Sequence, residues 1–450
     1  MPSDVVEKVK AAGVVGAGGA GFPTHVKLSS QVDTVIANGA ECEPLLHADQ
    51  HLMARYAEVV VRGLRKAMQA TGAERGVIAL KASYEEAVAA LQRALGDDQS
   101  IALHLLGSFY PSGDEFVLVY DVLGRVVPEG GIPLEVGVLV NNVGTLFNVA
   151  QATEGIPVTH RYLTVTGEVR KPMTVRVPVG TLIEQVVEWA GGPNDSGRRS
   201  EPDGLVLVAG GAMMGRVVQG NDVVTKTTGG LLVLPVDSPV VAWMSRPLRN
   251  TVRRGISTCD QCRDCTDLCP RFLLGHVLQP HEIMRSVNYG LTEPTHIITA
   301  AALCCECRLC EAYACPLGLS PMAYYRAVKQ ALREAGWTNT VHRRRDLTPH
   351  DMFCFRRVPM NRLVDRLGLT AYRDTPVPLN EQDRQPKEVR IPLKQHIGAP
   401  ATPLVRAGES VNRGALIAEP PKGQMGANVH ASVSGQVVDV TDKHIRIQTG

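Results

Sequence analysis

The sequence predicts a multidomain protein that combines α/β and α+β domains. Its 450 residues correspond to three or four domains of roughly 100–200 residues each. Strand-like and helix-like segments alternate over about the first third of the chain, which is typical of a mostly parallel sheet covered on both faces. Nine of the 11 cysteines lie between positions 259 and 315, so a separate part of the chain is expected to bind metal.

The composition argues against several classes of protein. The 47 basic and 45 acidic residues give a net charge of +2, so we expect no nucleic-acid partner. No apolar run approaches the ~18 residues that a membrane span needs. The start of the chain, Met1-Pro2-Ser3-Asp4, lacks the charged and apolar regions of a secretory signal. These features predict a cytoplasmic protein without a membrane span.

The first region begins with a short amphipathic stretch containing Val5, Val6 and Val9, followed by the glycine-rich segment 13–21. The hydrophobic pattern then predicts strands over 32–37, 76–81 and 101–106, with helices over 51–71 and 83–95. Ligands of such sheets bind where the carboxyl ends of the strands meet loops. The glycine-rich segment and residues 38–44 are predicted to lie at such ends.

From about residue 162 the pattern changes to that of a small α+β module. Strands are predicted over 162–169, 173–177, 205–209 and 230–235, and Thr181 is expected to cap a helix that runs to Trp189. Residues 236–256 are predicted to be a linker, as is the arginine- and proline-rich segment 339–388. The final 60 or so residues contain short strands between glycine and proline turns, typical of an all-β module.

Two cysteine motifs have the spacing of iron–sulfur proteins. The first, Cys259-x2-Cys262-x2-Cys265-x3-Cys269-Pro270, is that of a bacterial [4Fe–4S] ferredoxin. The second, Cys304-x2-Cys307-x2-Cys310-x4-Cys315-Pro316, has one additional residue before its last cysteine. Three cysteines at this interval allow one tight loop to surround an iron–sulfur cube, while the fourth ligand comes from a distance.

In two-cluster ferredoxins the fourth cysteine of each motif binds the other cluster. We therefore predict one cluster on Cys259, Cys262, Cys265 and Cys315, and another on Cys304, Cys307, Cys310 and Cys269. Paired zinc sites or buried unliganded cysteines are the alternatives, although zinc sites usually show two separated Cys-x2-Cys pairs. Cys305 competes with Cys304 as a ligand, but only Cys304 keeps the two-residue gap to Cys307. Because such clusters carry single electrons, an organic cofactor that accepts a hydride is expected elsewhere.

The glycine-rich segment continues to Lys27 and reads GAGGAGFPTHVK from Gly16. Its backbone N–H groups can approach a phosphate or a flavin without side-chain clashes, although such a loop can equally be a tight turn. Together with Asn38–Pro44, it resembles the FMN-binding region of the NADH-oxidising subunit of respiratory complex I. It resembles the RnfC-type subunit of the Rnf complex more closely, and segments 110–115 and 140–145 are similar to further flavin and nucleotide segments of that family.

The resemblance covers nearly the whole chain and implies its domains. These are a flavin-binding Rossmann-like α/β domain for FMN and NADH (1–158), a β-grasp (SLBB) domain (159–236), a two-[4Fe–4S] ferredoxin-type domain (250–338), a linker (339–388) and a barrel-sandwich hybrid β domain (389–450). In RnfC-type subunits the barrel-sandwich domain precedes the flavin domain. The order in this chain is similar to that of the cobalamin reductases of propanediol-utilisation microcompartments.

The resemblance also implies site residues. Phe22 is expected beside the flavin ring and Glu115 near the nicotinamide ribose, and with Glu41 they form the expected catalytic set. Glycines allow close approach, a lysine suits phosphate, and asparagines offer paired donors and acceptors. The expected FMN contacts are Gly16, Gly18, Gly19, Lys27, Asn38, Glu41, Glu43, Asn141, Asn142 and Thr145.

The implied activity is that of an NADH-dependent oxidoreductase that passes electrons from NADH through FMN and two [4Fe–4S] clusters. By resemblance, the acceptor is cobalamin, the partners are an adenosyltransferase and a microcompartment shell protein, and the protein lies inside or attached to a bacterial microcompartment. One alternative is an RnfC-like subunit that exchanges electrons between NADH and ferredoxin or a membrane complex. Another is a relay or scaffold protein docked to a shell.

Overall fold

The computed structural model describes residues 4–194, 204–291, 293 and 295–450. The N-terminal domain contains a four-stranded parallel sheet in the order β3-β2-β1-β5. Its strands are β1 (Thr34–Gly39), β2 (Arg75–Lys81), β3 (Ile101–Leu106) and β5 (Val138–Asn142), and the two-residue β4 (Phe109–Tyr110) lies outside the sheet. The order changes direction between β1 and β5, which places a crevice at the carboxyl ends of these two strands.

Helices cover both faces of this sheet. Successive residues of β1 belong to different hydrophobic clusters: Val35 packs with α4 (Ala57–Thr71), α5 (Glu85–Leu95) and α7 (Val143–Thr153) on one face, and Ile36 packs with α6 (Glu115–Leu123) on the other. The helices are α1 (Asp4–Ala11), α2 (Thr24–Leu28), α3 (Ala48–Arg55), α4 (Ala57–Thr71), α5 (Glu85–Leu95), α6 (Glu115–Leu123) and α7 (Val143–Thr153), with a 3₁₀ turn at Pro133–Val136. The single helix predicted over 51–71 is wrong, because the chain breaks at Tyr56 and forms the two helices α3 and α4.

The second domain is a six-stranded mixed sheet in the order β12-β7-β6-β10-β8-β9. Its helix α8 (Ile183–Trp189) buries Ile183, Val186 and Val187 in a core with the strands. The strands are β6 (His160–Gly167), β7 (Met173–Pro178), β8 (Leu205–Ala209), β9 (Arg216–Val218), β10 (Gly230–Pro235) and β12 (Leu379–Asn380).

The cysteine region is mostly helical. Part of the predicted linker 236–256 is helical as well, because it contains α9 and most of α10. The elements are α9 (Pro239–Met244), α10 (Leu248–Thr258), α11 (Asp264–Asp267), α12 (Pro270–Leu273), α13 (Pro280–Asn288), α14 (His296–Thr299) and α15 (Pro321–Glu334), with a 3₁₀ turn at Ala300–Leu303 and a π-helical turn at Cys310–Ala314. Helices α10, α13 and α15 pack against one another.

The segment 339–388, which the composition predicts to be a linker, packs against the other domains. Its strand β11 (Val358–Pro359) pairs with β4, and β12 pairs with β7. Its helices are α16 (Met360–Arg366) and α17 (Thr370–Arg373), and α16 buries Leu363 and Val364. Its arginines form ion pairs with acidic residues of the N-terminal domain: Arg344 with Glu129, Arg345 with Glu135, and Arg357 with Asp121.

The C-terminal domain consists of two small sheets, β13-β19-β18-β15 and β14-β16-β17, around one apolar core. It contacts the beginning of the chain, since Asn428 Nδ2 donates to the carbonyl of Ala11 at 3.2 Å. The strands are β13 (Glu388–Pro392), β14 (Thr402–Pro403), β15 (Ser410–Val411), β16 (Leu416–Glu419), β17 (Val429–His430), β18 (Gly435–Val440) and β19 (His444–Gln448). Within the described part of the chain, no helix has the length and apolar character of a membrane span.

Candidate functional site

A cavity of about 550 Å³ opens at the carboxyl ends of β1 and β5. This position is the switch point of the sheet, and the volume is within the range of small-molecule sites. Apolar residues between Ile132 and Val140 form part of its wall. The predicted site residues that line it are Gly16, Gly18, Gly19, Phe22, Lys27, Asn38, Glu115, Asn141, Asn142 and Thr145.

Three carbonyl groups of the glycine-rich loop are held by other domains. The oxygen of Gly13 accepts from Lys226 Nζ (2.7 Å), that of Ala17 from Arg161 Nη2 (3.0 Å), and that of Ala20 from Ile397 N (3.2 Å). In a trans peptide the C=O and the following N–H point in opposite directions. The N–H groups of Gly18 and Gly21 therefore face away from Arg161 and Ile397, and neither bonds to a described residue. They are available to an anionic ligand in the cavity.

Arg161 also connects this loop to a buried polar network. Its Nε donates to the carbonyl of Thr228 at 3.1 Å, and the residue is 6% exposed. Burial lowers the pKa of the guanidinium, and the carboxylates of Asp49 and Glu41 oppose that shift. Asp49 in turn accepts a 2.6 Å hydrogen bond from Asn142 Nδ2. Arg161 is not among the site residues predicted from sequence, because its partner in the loop is a backbone carbonyl that is distant in sequence.

The three predicted asparagines have different surroundings. Asn38 is fully engaged, since its Nδ2 donates to Gly113 O (2.9 Å) and its Oδ1 accepts from Ala40 N (3.1 Å). Asn142 caps α7 by accepting from the N–H of Gly144 at 2.8 Å. Asn141 differs, because its Nδ2 is buried and no described residue forms a hydrogen bond with it. It is therefore the asparagine with a free donor at the cavity.

Lys27 and Glu115 form an ion pair in the cavity wall. Lys27 Nζ lies 3.2 Å from Glu115 Oε1 and donates to the carbonyl of Val140 at the same distance. The lysine side chain is 27% exposed and the glutamate 44%. Such an ammonium group is suited to a phosphate.

Glu41 and Glu43 do not line the cavity. The Glu43 carboxylate accepts hydrogen bonds from the N–H groups of Met213 (2.8 Å) and Met214 (2.7 Å) in the second domain. Burial raises the pKa of Glu43 to about 7. Burial, with repulsion from Asp49 and Glu43, raises the pKa of Glu41 to about 8. Their expected contact with the flavin stays a prediction that the cavity lining does not support.

The cavity residues fit an FMN. The unpartnered amide of Asn141 supplies a donor for a polar ring atom, and the free N–H groups of Gly18 and Gly21 suit a phosphate. A Cβ on Gly19 would meet no atom of the described residues within 4 Å, so this glycine leaves space inside the site rather than avoiding a clash with them. FMN would be held by these groups and by Lys27.

The two cysteine motifs fold into loops with the same backbone geometry. The residues before and after the second cysteine are left-handed in both, with φ of 66° and 70° at Gln261 and Arg263, and 59° and 61° at Glu306 and Arg308. Left-handed residues other than glycine are uncommon. The described residues contain one other example, Leu45. The repetition indicates that both loops wrap a similar object.

The cysteines separate into two groups. The four cysteines of the outer group line one small space. Burial raises the pKa of Cys265 in this group to about 12, and the nearby thiolates of Cys315, Cys262 and Cys259 contribute to the shift. The inner group is more deeply placed, and burial also raises the pKa of Cys269 to about 12. The outer group is Cys259, Cys262, Cys265 and Cys315; the inner group is Cys269, Cys304, Cys307 and Cys310.

The surroundings of both groups fit iron–sulfur clusters. No three Cys, His, Asp or Glu side chains among the described residues converge as a single metal ion requires. A four-iron cube instead spreads its cysteines over four irons. The Tyr325 hydroxyl is buried and has no hydrogen-bond partner in the part of the chain that the structure describes. Burial raises its pKa, and the thiolates of Cys269, Cys304 and Cys310 raise it further. This orphaned donor lies where a cluster would supply sulfur acceptors. Cys305 is half-buried and lies beside Cys307.

Family models match four successive parts of the chain. They are the Nuo51 FMN-binding domain (9–151), the SLBB domain (162–217), the 4Fe–4S dicluster domain (258–320) and the RnfC barrel sandwich hybrid domain (375–450). The fold and the site thus define an NADH-dependent oxidoreductase with FMN and two 4Fe–4S clusters, and the predicted domain types and cofactors are confirmed.

Similar proteins place the chain more narrowly. Cobalamin reductase PduS of Citrobacter freundii is 45% identical over 449 residues, 99% of this chain and 96% of that protein. Cobalamin reductase PduS of Salmonella typhimurium is 44% identical over 99% of this chain and 97% of that protein. The chain belongs to the PduS family.

More distant matches cover less of the chain. A component of the Na(+)-translocating ferredoxin:NAD(+) oxidoreductase complex of Acetobacterium woodii is 39% identical over 278 residues, 60% of this chain and 58% of that protein. A solved structure of an NAD+-reducing [NiFe]-hydrogenase in the air-oxidized state aligns with 84% of this chain and 68% of that chain, with 21% identity and a TM-score of 0.48.

Proposed function

We propose that the protein reduces cobalamin with electrons from NADH, from cob(III)alamin to cob(II)alamin and then to cob(I)alamin, for recycling of coenzyme B12. The observation that carries this proposal is 45% identity over 99% of the chain to a cobalamin reductase. A flavin converts the two electrons of a hydride into single electrons, which iron–sulfur clusters then carry. The two cobalt steps together consume two electrons, the number that one NADH supplies.

The residues of the cavity have distinct proposed roles. The N–H groups of Gly18 and Gly21, with Lys27, bind the FMN phosphate, and Asn141 donates to the ring. Gly16, whose own N–H donates to the carbonyl of Phe22 at 2.9 Å, and Gly19 leave the space that the FMN occupies. Thr145 supports the loop, because its Oγ1 accepts from the N–H of Ala17 at 2.9 Å. Asn38 and Asn142 orient neighbouring backbone, Phe22 lies beside the ring, and Glu115 faces the nicotinamide ribose.

The role of Asn141 is tested by Asn141→Ala, with FMN affinity measured by fluorescence on the apoprotein. The substitution removes an unpartnered amide, so we expect no loss of apoprotein stability and FMN binding that is weaker by about tenfold. Asn148→Ala is the matched control, because Asn148 lies on the neighbouring helix α7 but does not line this cavity. Equal affinities in the wild type and the Asn141 variant would exclude the contact.

The domain limits 1–158, 159–236, 250–338 and 389–450 are also proposals. The first three contain the matched ranges 9–151, 162–217 and 258–320. The matched range 375–450 begins inside the segment 339–388, which favours an earlier start for the last domain.

Cobalamin reduction is tested with anaerobic, reconstituted protein, NADH and hydroxocobalamin. The expected result is the visible spectrum of cob(II)alamin, formed only when protein, FMN and NADH are all present. Dithionite-reduced cobalamin provides the reference spectrum. The proposal fails if NADH bleaches the flavin and the clusters while the cobalamin spectrum does not change.

A second candidate is an RnfC-like subunit that exchanges electrons between NADH and ferredoxin or a membrane complex. The match to the Acetobacterium woodii protein, over 60% of this chain, favours it. Ferredoxin reduction under the same conditions, faster than cobalamin reduction at equal concentrations, would select this alternative.

We further propose that the protein works in the cytoplasm within or attached to a bacterial microcompartment, beside an adenosyltransferase and a shell protein. The support is the full-length match to PduS. Quantification of the chain in purified microcompartments and in the remaining cell extract tests this location. Recovery of the chain entirely in the extract would contradict it.

A further inference from the structure

The inner cysteine group is directly joined to the wall of the flavin cavity. The Tyr110 hydroxyl donates a 2.7 Å hydrogen bond to the carbonyl oxygen of Cys307, and Tyr110 is 1% exposed. Tyr110 begins a short segment whose later residues, Gly113 and Glu115, line the cavity. Only a few covalent bonds and one buried hydrogen bond therefore separate the cavity wall from an inner-group cysteine.

A buried ion pair joins the same two places. Arg271, which follows Cys269 by two residues, donates to both carboxylate oxygens of Asp114 at 2.6 and 3.0 Å. The two side chains are 7% and 12% exposed. Asp114 lies between Gly113 and Glu115 in the cavity wall. The paired geometry fixes the inner group rigidly against the flavin side.

The outer group has different neighbours. The space lined by its four cysteines is enclosed by residues from 259 to 321, and no described residue of the N-terminal domain lines it. Residues 260–264 of its loop are all exposed, Cys262 included. In the corresponding loop of the inner group, none of residues 305–309 is exposed. The outer group thus faces solvent, and the inner group does not.

The two groups adjoin each other in the core. Cys265 of the outer group and Cys310 of the inner group pack with Met322 in one small buried cluster. An electron that enters at the inner group can consequently pass to the adjoining outer group, which lies between the inner group and the surface.

We propose that the two cysteine groups act in a fixed order, with the inner group receiving electrons from the flavin cavity and the exposed loop 260–264 of the outer group meeting the electron acceptor. Oxidation of one NADH gives NAD+, one proton and two electrons. The electrons leave singly, and each reduces one Co(III) corrinoid to Co(II). The identity of this acceptor rests on the proposed function, whereas the order of the groups does not.

Cys262→Ser and Cys307→Ser test the order as a matched pair, since each changes the second cysteine of one motif. Each holoprotein is characterised by iron content and by electron paramagnetic resonance after dithionite and after NADH. In the Cys262 variant, NADH is expected to reduce the remaining inner-group cluster at the wild-type rate, while cobalamin reduction falls at least tenfold. In the Cys307 variant, NADH is expected to bleach the flavin but to reduce the outer-group cluster at least tenfold more slowly, although dithionite still reduces it.

The opposite pattern, with NADH reducing the outer-group cluster normally in the Cys307 variant, would overturn the proposal. If a variant loses both clusters, the order can still be tested on the wild-type holoprotein. NADH-reduced samples are then freeze-quenched and measured by electron paramagnetic resonance with a dysprosium chelate in solution, which speeds the relaxation of the cluster nearer the surface. The cluster that NADH reduces last should relax faster with the chelate; faster relaxation of the first-reduced cluster would also refute the order. If the order of the two groups is as proposed but no cobalamin is reduced, only the proposed identity of the acceptor is wrong.

Discussion

The guanidinium of Arg161 donates a 3.0 Å hydrogen bond to the carbonyl oxygen of Ala17, 144 positions away in the chain. This contact joins the β-grasp sheet to the glycine-rich loop of the flavin cavity. Lys226 and the N–H of Ile397 hold two other carbonyls of the same region. The loop conformation therefore depends on three domains, and FMN affinity becomes a readout of how they are assembled.

Replacement of Arg161 by lysine should weaken FMN binding. Lysine keeps the charge near Asp49 but lacks the planar fork that reaches Ala17 and Thr228 together. Loss of one charge-assisted hydrogen bond corresponds to about 1.5–3 kcal/mol, so we expect the Kd for FMN to rise about tenfold or more. Arg176→Lys on β7 is the control. Unchanged FMN affinity in the Arg161 variant would show that the loop holds its conformation without this contact.

Replacement of Gly19 by alanine should separate folding from cofactor binding. The added methyl group meets no atom within 4 Å in the described ranges of the chain, so the melting temperature of the apoprotein is expected to remain that of the wild type. The methyl group enters the space assigned to FMN, and the affinity should fall at least about tenfold. Gly204→Ala adds a methyl group in open space far from the cavity and should change neither property. Wild-type affinity in the Gly19 variant would place the FMN elsewhere.

Replacement of Tyr325 by phenylalanine should change a cluster rather than the fold. The hydroxyl has no partner among the described residues, so its removal costs the apoprotein little. A donor to cluster sulfur stabilises the more negative reduced state, and its loss should lower the reduction potential of the inner-group cluster. A hydrogen bond of about 0.5–1.5 kcal/mol corresponds to roughly 20–60 mV for one electron. Redox titration followed by paramagnetic resonance measures this shift, and an unchanged potential would rule out the contact.

Lys226 should make stability depend on pH. It is buried with carbonyl oxygens of Gly13 and Asn428 as partners, and burial lowers its pKa from 10.5 to about 7. Between these values the unfolded chain binds more protons, so stability should rise with pH, by at most about 1.4 kcal/mol per unit.

Lys226→Met removes this contribution, and apoprotein melting temperatures between pH 7.5 and 9.5 measure it. The wild type should gain stability with pH relative to the variant. Lys394→Met, at an exposed lysine, should follow the wild type at every pH. A constant difference between the wild type and the Lys226 variant would contradict the shifted pKa.

The parts of the site that were predicted from sequence are local. The cysteine spacings identify their loops because the three ligands of each motif are separated by two residues, and the glycine-rich segment lies at the predicted sheet edge. Asn38, Asn141 and Asn142 are the same residue type, and only their partners distinguish the free donor from the two engaged amides.

Long-range contacts explain what the sequence did not predict. Arg161 and Lys226 bond to backbone carbonyls, which leave no signal in residue identity. Glu43 was expected at the flavin, yet its carboxylate bonds to the amides of Met213 and Met214. The composition of the segment 339–388 predicts a solvated linker. Its arginines instead form ion pairs with acidic residues of the N-terminal domain, and these partners cannot be identified from the sequence of the segment alone.

Electron transfer from NADH through the flavin cavity and both cysteine groups is tested most directly by stoichiometry. Holoprotein with one FMN and about eight irons per chain is mixed anaerobically with limiting NADH and excess hydroxocobalamin. We expect two cob(II)alamin per NADH, and little or none from protein that carries FMN but no iron. Equal cob(II)alamin formation with and without iron would contradict a role for the cysteine groups in the transfer.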